Sequence, residues 1–145
     1  MLSALSEEKV EFLLIGAYAL AVHGLPRATG DLDLWIHPTP ENAQRTEKAL
    51  VRFGAPLDQM TENDFVTRGI IFQIGVVPCR IDIITSVEGV EFEQAWLNRM
   101  QVEIEGLQVP VIGREDLIRN KRALGRPQDL ADVARLEEGN PESEQ

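Results

Sequence analysis

Residues 25–37 read LPRATGDLDLWIH, and the placing of Asp31 and Asp33 around a single leucine decides how the rest of the chain is read. Residues 31–37 alternate acid and apolar side chains in their first half and are closed by Pro38, as expected of a strand. Side chains alternate on a strand, so both acids project from one face while Leu32 and Leu34 project from the other into a core. Two like charges are thus held together. Partly desolvated and unneutralised, such a pair raises its own pKa and costs stability, and a cation between them is the natural resolution. Mg²⁺ suits the place, being a hard ion that prefers oxygen and commonly bridges one or two carboxylates to phosphate oxygens.

A third acid supports this reading. In CRIDIIT, residues 79–85, Asp82 stands between Ile81 and Ile83 as the polar group of an apolar strand. If that strand lies beside the first, Asp82 meets Asp31 and Asp33 in a three-carboxylate site able to hold two metal ions for in-line phosphoryl transfer. Asp82 would also activate the attacking hydroxyl. A D-x-D pattern alone commonly marks a solvated strand face; the apolar setting of all three acids tips the balance toward function. Upstream, Gly16 ends an apolar run, VEFLLIG, and starts a helical one, a place where backbone N–H groups and the helix dipole receive phosphate. An ordinary strand-to-helix turn has the same local pattern. Arg27 and Thr29, just before the acids, are placed either to pair with phosphate or, for Arg27, to neutralise the acids structurally.

Working outward, SALSEEK predicts a short helix, residues 10–15 a strand, AYALAVHG a short helix stopped at Gly24, and 31–37 a second strand. Thr39 before Pro40 predicts an N-cap and a helix running to Gly54. TENDFVTRG predicts a helical turn, and IIFQIGVV and CRIDIITSV two neighbouring strands. EFEQAWLNRM reads as a helix and QVEIEGLQVPVI as a hairpin about Gly106. REDLIRNKRALG and PQDLADVARLEE are two closing helices around a break at Gly125–Pro127. The expected class is α+β: a mixed sheet flanked by helices, with helices at the C-terminus.

The bulk properties agree. A chain of 145 residues, 43% hydrophobic and 26% charged, has the makings of a single domain, expected over residues 1–137, with 138–145 a disordered acidic tail. Lys and Arg number 14 against 24 Asp and Glu, a net charge of −10, which disfavours nonspecific attraction to nucleic acid or an anionic membrane. Cys79, the single cysteine, reads as a buried structural thiol. With no signal-like start and no apolar run of bilayer length, a cytoplasmic protein is expected.

Taken together, LLIGAYALAVHGLPRATGDLDLWI, then RIDII, then DLIRNKRALGRPQDLADVARL resemble the nucleotidyltransferase superfamily with the DNA polymerase beta-like fold, especially its AbiEii and minimal-nucleotidyltransferase toxin-like branch. The resemblance covers nearly the whole chain. It implies that Asp31 and Asp33 are metal ligands, Asp82 the third carboxylate, and Gly16 and Ala17 the nucleotide-phosphate turn. Lys121 and Arg126 become phosphate or substrate contacts; as cations near a helix end they also admit a purely local role. The family turn is usually Gly-Gly or Gly-Ser, and Ala17 supplies only its N–H. The implied activity is transfer of a nucleoside monophosphate from an NTP to a hydroxyl of an RNA, protein or small molecule, with Mg²⁺, in the toxin of a toxin-antitoxin pair with a cognate antitoxin or partner chain. The rival is an inactive nucleotide-binding or protein-interaction module of the same fold.

Other residues read more plainly. His23 and His37 lack metal spacing and suit hydrogen bonding or solvent exposure. Trp35 shares the acids' face by period two, placed either beside a base or beneath a neighbouring helix. Trp96 is expected in the core.

Overall fold

The computed structural model describes residues 1–27, 30–57, 61–75 and 80–138. Thr29, Cys79 and the expected tail beyond Glu138 therefore lie outside the described residues. Helix α1 (Leu2–Glu7) leads to β1 (Phe12–Ile15), α2 (Gly16–Val22) and β2 (Leu32–Ile36). Then come α3 (Pro40–Phe53), a 3-10 turn at Asp64–Val66, β3 (Ile71–Ile74), β4 (Ile81–Ile84) and α4 (Phe92–Leu97). Strands β5 (Met100–Ile104) and β6 (Leu107–Val111) form the hairpin, and α5 (Arg114–Leu124) and α6 (Pro127–Glu138) close the described chain. The expected order of elements is the observed one, in an α+β fold with helices flanking a mixed sheet.

The six strands run β3-β4-β2-β1-β6-β5. β2 lies antiparallel to β1 and parallel to β4, so the two acid-bearing strands are direct neighbours running the same way. Leu14, Leu34 and Ile83 occupy successive central strands and are wholly buried. Residues of opposite parity carry the acids, which is why a sheet with an apolar centre can bear carboxylates on adjacent strands.

Local chemistry fixes the ends of the elements. Thr39 caps α3 by accepting a hydrogen bond from the Asn42 N–H at 3.3 Å, Pro40 takes the first helical position, and Gly54 ends the helix in the left-handed region at φ +93°. Asn42, buried, accepts from the Glu11 N–H at 2.7 Å and donates to the carbonyls of Glu11 and His37 at 2.9 Å each. One side chain thus pins α3 to the ends of β1 and β2. At the far end of β2, Trp35 is buried beneath α4, meeting Phe92 edge-on at 5.1 Å between ring centres. Of the two placements open to Trp35, the structure therefore selects the one under a helix. Trp96 departs from expectation: it is partly buried at the core's margin, stacked with Phe92 at 5.6 Å between ring centres and with the Arg99 guanidinium 3.9 Å from its ring centre.

Candidate active site

The parallel register places Asp33 directly opposite Asp82. Asp31 sits one residue before the first residue of β2, and its Oδ1 accepts a hydrogen bond from the backbone N–H of Arg80 at 3.1 Å. The three acids expected to converge are therefore gathered at one end of two adjoining strands. Gly16, which opens α2, joins them from β1, since Ile15 pairs with Asp33. Gly16 adopts φ +71°, and a Cβ there would collide with Asp33 Oδ2 and lie 3.1 Å from Asp33 Cβ. Glycine is thus required twice at this point, for its backbone conformation and for the carboxylate packed against it.

The electrostatics are unbalanced. Burial, then the charge of Asp82 and a hydrogen bond with it, then Asp31, push Asp33 up from 3.8 to about 6, with Arg80 partly opposing them. Arg80 is the functional candidate that reading the sequence missed. Its Nε and Nη2 donate to the two carboxylate oxygens of Asp82 at 2.9 and 3.3 Å, and Nη2 lies 3.8 Å from Asp31 Oδ2. The signal was present in RID: a residue two before Asp82 on a strand shares its face.

Among the described residues, no three His, Cys, Asp or Glu side chains close on one another as a ready metal cage. The Arg80 guanidinium stands beside two of the three carboxylates, paired with Asp82 and 3.8 Å from Asp31. The donor set nevertheless fits a hard divalent cation: three carboxylates, oxygen donors throughout, with one guanidinium, that of Arg80, beside two of them among the described residues. Asp31, Asp33 and Asp82 are the residues that could hold such an ion.

The cations expected at phosphate are differently engaged. Arg27 does not neutralise the strand acids; it pairs with Asp132 of α6. Lys121 Nζ lies 3.4 Å from Asp129 Oδ1 and 3.1 Å from Asp132 Oδ2, and Arg126 donates to Asp129 at 2.5 and 3.2 Å. Asp129 and Asp132 are fully or almost fully buried, so these contacts tie α5, α6 and the segment leading to Asp31 together. Ala17 follows Gly16 in α2 with no side-chain hydroxyl to offer. His23 Nε2 bonds the Ile112 carbonyl oxygen at 2.8 Å, and His37 lies between Glu11 and Glu93, so both histidines are hydrogen-bonding groups.

The full chain, residues 1–145, matches the model of a family described as nucleotidyl transferase of unknown function (DUF2204). The chain belongs to that family. Several solved structures share its fold. One is a Thermotoga maritima protein described as a nucleotidyltransferase, 16% identical, with a TM-score of 0.59 over 95% of this chain and 88% of that one. Another is the lincosamide antibiotic adenylyltransferase LnuA with lincomycin bound, 15% identical, with a TM-score of 0.58 over 96% and 93%. No curated protein matches the sequence. Among the described residues no helix is long and apolar enough to cross a membrane.

Proposed function

We propose that this family member is a Mg²⁺-dependent nucleotidyltransferase that moves a nucleoside monophosphate from an NTP to an acceptor hydroxyl and releases pyrophosphate. The observation that carries the proposal is Asp33, paired in register with Asp82, packed against Gly16, and raised in pKa by its neighbours. A carboxylate pair compensated at only one member, Asp82 by Arg80, is costly in a merely structural role and useful where a cation and a triphosphate arrive together. Asp31, Asp33 and Asp82 would hold one or two Mg²⁺ ions, which supply charge for the triphosphate and polarise the attacking oxygen.

In the transfer the acceptor oxygen forms a bond to the α-phosphorus, the bond from that phosphorus to the pyrophosphate oxygen breaks, and the hydroxyl proton passes to Asp82. Gly16 and Ala17 would offer backbone N–H groups to the triphosphate, and Thr29 its hydroxyl. Lys121, Arg126 and Arg27 serve this site by holding the closing helices against the segment that leads to Asp31; exposed Arg126 retains the reach to touch substrate. For the acceptor, the toxin-like resemblance points to RNA or protein, whereas a net charge of −10 and the fold shared with an adenylyltransferase that binds lincomycin favour a small hydroxylated molecule. The toxin role and a cognate antitoxin rest on the sequence resemblance alone.

A second reading, a non-catalytic nucleotide-binding or interaction module, is favoured by Ala17 and by the Arg80 pairing that already neutralises part of the acid cluster. Thermal unfolding with each of the four NTPs, with and without Mg²⁺, on wild type and Asp33→Asn separates the two. A nucleotide at a hundredfold its dissociation constant adds about 2.7 kcal/mol, or roughly 5–10 °C at this size. The transferase reading expects that shift to need both Mg²⁺ and Asp33, followed by label transfer to an acceptor; a shift without label transfer supports a nucleotide-binding module, and no shift with any nucleotide an interaction module.

A further inference from the structure

We infer that Arg80 keeps the place of the metal until a nucleotide brings one, and that its guanidinium then passes to the triphosphate. The inference rests on the transferase reading above. The main chain of Arg80 is fixed: its N–H donates to Asp31 at 3.1 Å and its carbonyl accepts from the Leu32 N–H at 2.8 Å. Its side chain is not enclosed, with 31% of its surface exposed, and it grips Asp82 with two donors while standing 3.8 Å from Asp31. A residue held by its backbone and partly exposed at its side chain can exchange partners without disturbing the sheet.

The exchange has a direction. A divalent ion arriving alone must break a two-point, charge-assisted pair between Arg80 and Asp82 and leave a guanidinium without its carboxylate, so free metal is resisted. A metal arriving on a triphosphate carries phosphate oxygens with it, and a planar guanidinium fork suits those oxygens as well as it suits a carboxylate. Arg27, which precedes Asp31 by four residues, is committed to Asp132. Arg80 therefore acts as a positioning residue that makes metal binding depend on nucleotide and frees Asp82, the proton acceptor, only when substrate is present.

The test compares wild type, Arg80→Gln, Arg80→Lys and Asp33→Asn, each checked for an unchanged circular dichroism spectrum. Mn²⁺ alone is titrated by its electron paramagnetic resonance signal, and Mn²⁺ with inorganic triphosphate is titrated by calorimetry. Arg80→Gln is expected to bind Mn²⁺ alone on the order of tenfold more tightly and Mn²⁺-triphosphate several-fold more weakly, a reversal of sign that simple loss of a structural ion pair does not produce. Arg80→Lys, which keeps the charge without the fork, is expected to fall between and covers the case in which the glutamine variant does not fold. Unchanged or weaker Mn²⁺ binding in the Arg80 variants, at a site that Asp33→Asn abolishes, overturns the inference and leaves the transferase reading standing. Absence of any Asp33-dependent metal binding, with or without triphosphate, overturns that reading and the inference with it.

Discussion

Two carboxylate clusters in this molecule use the same chemistry to opposite ends. At the ends of β2 and β4, Asp31, Asp33 and Asp82 face one arginine, and Asp33 is driven up to about 6. In the C-terminal helices, Asp129 and Asp132 face Lys121, Arg126 and Arg27, and the hydrogen bond from Arg126, together with the Lys121 charge, lowers Asp129 despite its burial. Acids are abundant throughout this chain, so their number distinguishes neither place. Among the described residues the supply of cations does: the helix cluster has three cations for two acids and forms a joint, whereas the strand cluster, with Arg80 for three, is the one proposed above to take a ligand.

The largest effect should come from breaking the joint. Asp129→Ala takes from Arg126 its buried partner and leaves Lys121 with Asp132 alone, and loss of one member of such a pair costs about 3–5 kcal/mol, a fall of roughly 10 °C in Tm for a domain of this size. Thermal unfolding checks this, and a fall of only a degree or two would show that the joint holds nothing together. At the strand cluster the damage should instead be functional. Asp33→Asn is expected to reduce nucleotidyl transfer by about 10²–10³-fold, roughly 3–4 kcal/mol in the barrier, with Tm unchanged or higher. If Asp33→Asn unfolds the protein as Asp129→Ala does, the contrast between the clusters collapses.

A smaller effect, on both counts at once, is expected at the point where backbone and carboxylate meet. Gly16→Ala puts an L side chain at φ +71° and its Cβ into Asp33. The backbone conformation alone costs about 1–2 kcal/mol, and relief of the collision must move Asp33 from its place opposite Asp82. Unfolding should show the modest loss and a transfer assay a larger one. A variant that is less stable but fully active would mean that the position of Asp33 against Gly16 is incidental.

The strand cluster was legible in sequence because period two is a strong rule: once 31–37 and 79–85 are strands, Asp31 and Asp33 share a face, and Asp82 differs in kind from its apolar neighbours. Gly16 was legible as a break between an apolar strand and a helix, though not as the floor beneath Asp33, which depends on the pairing of β1 with β2. Arg80 was readable by the same period-two rule, yet its partner Asp31 lies 49 positions away, and only the parallel pairing of β2 with β4 brings them together. The C-terminal joint was the least legible part. Arg126 and Asp129 are three apart and were open to a local reading, but Lys121 to Asp132 and Arg27 to Asp132 are tertiary contacts that no periodicity encodes. Cations that look available in sequence were already spent on buried acids.

The finest contrast between the clusters is their response to pH. Asp33 has a folded pKa of about 6 against an ordinary 3.8, so the folded state holds its proton more tightly than the unfolded chain does. Its contribution to stability is complete below about pH 4 and is lost as pH rises through 6. Asp129 is lowered, so its contribution is present above 3.8 and is lost as pH falls through its folded value. His37 adds to the alkaline loss, because the hydrogen bonds and charges of Glu11 and Glu93 outweigh the opposing effect of burial and raise its pKa; that contribution is present below 6.5 and lost above its folded value. Stability should therefore peak in mildly acid solution, with each cluster controlling one flank. Asp33→Asn removes the titrating carboxyl and should flatten the fall between about pH 4 and pH 7, leaving the His37 part above it. Because Asp33 is only partly buried, water screens the effect to about 1 kcal/mol, or roughly 3 °C at pH 7 in favour of the variant. Asp129→Asn should leave that interval alone and soften the acid flank instead. Calorimetric Tm values for the three proteins across pH 3–8 decide the matter: parallel curves for wild type and Asp33→Asn would mean that Asp33 is not the strained acid, and that Arg80 already supplies all the charge its cluster requires.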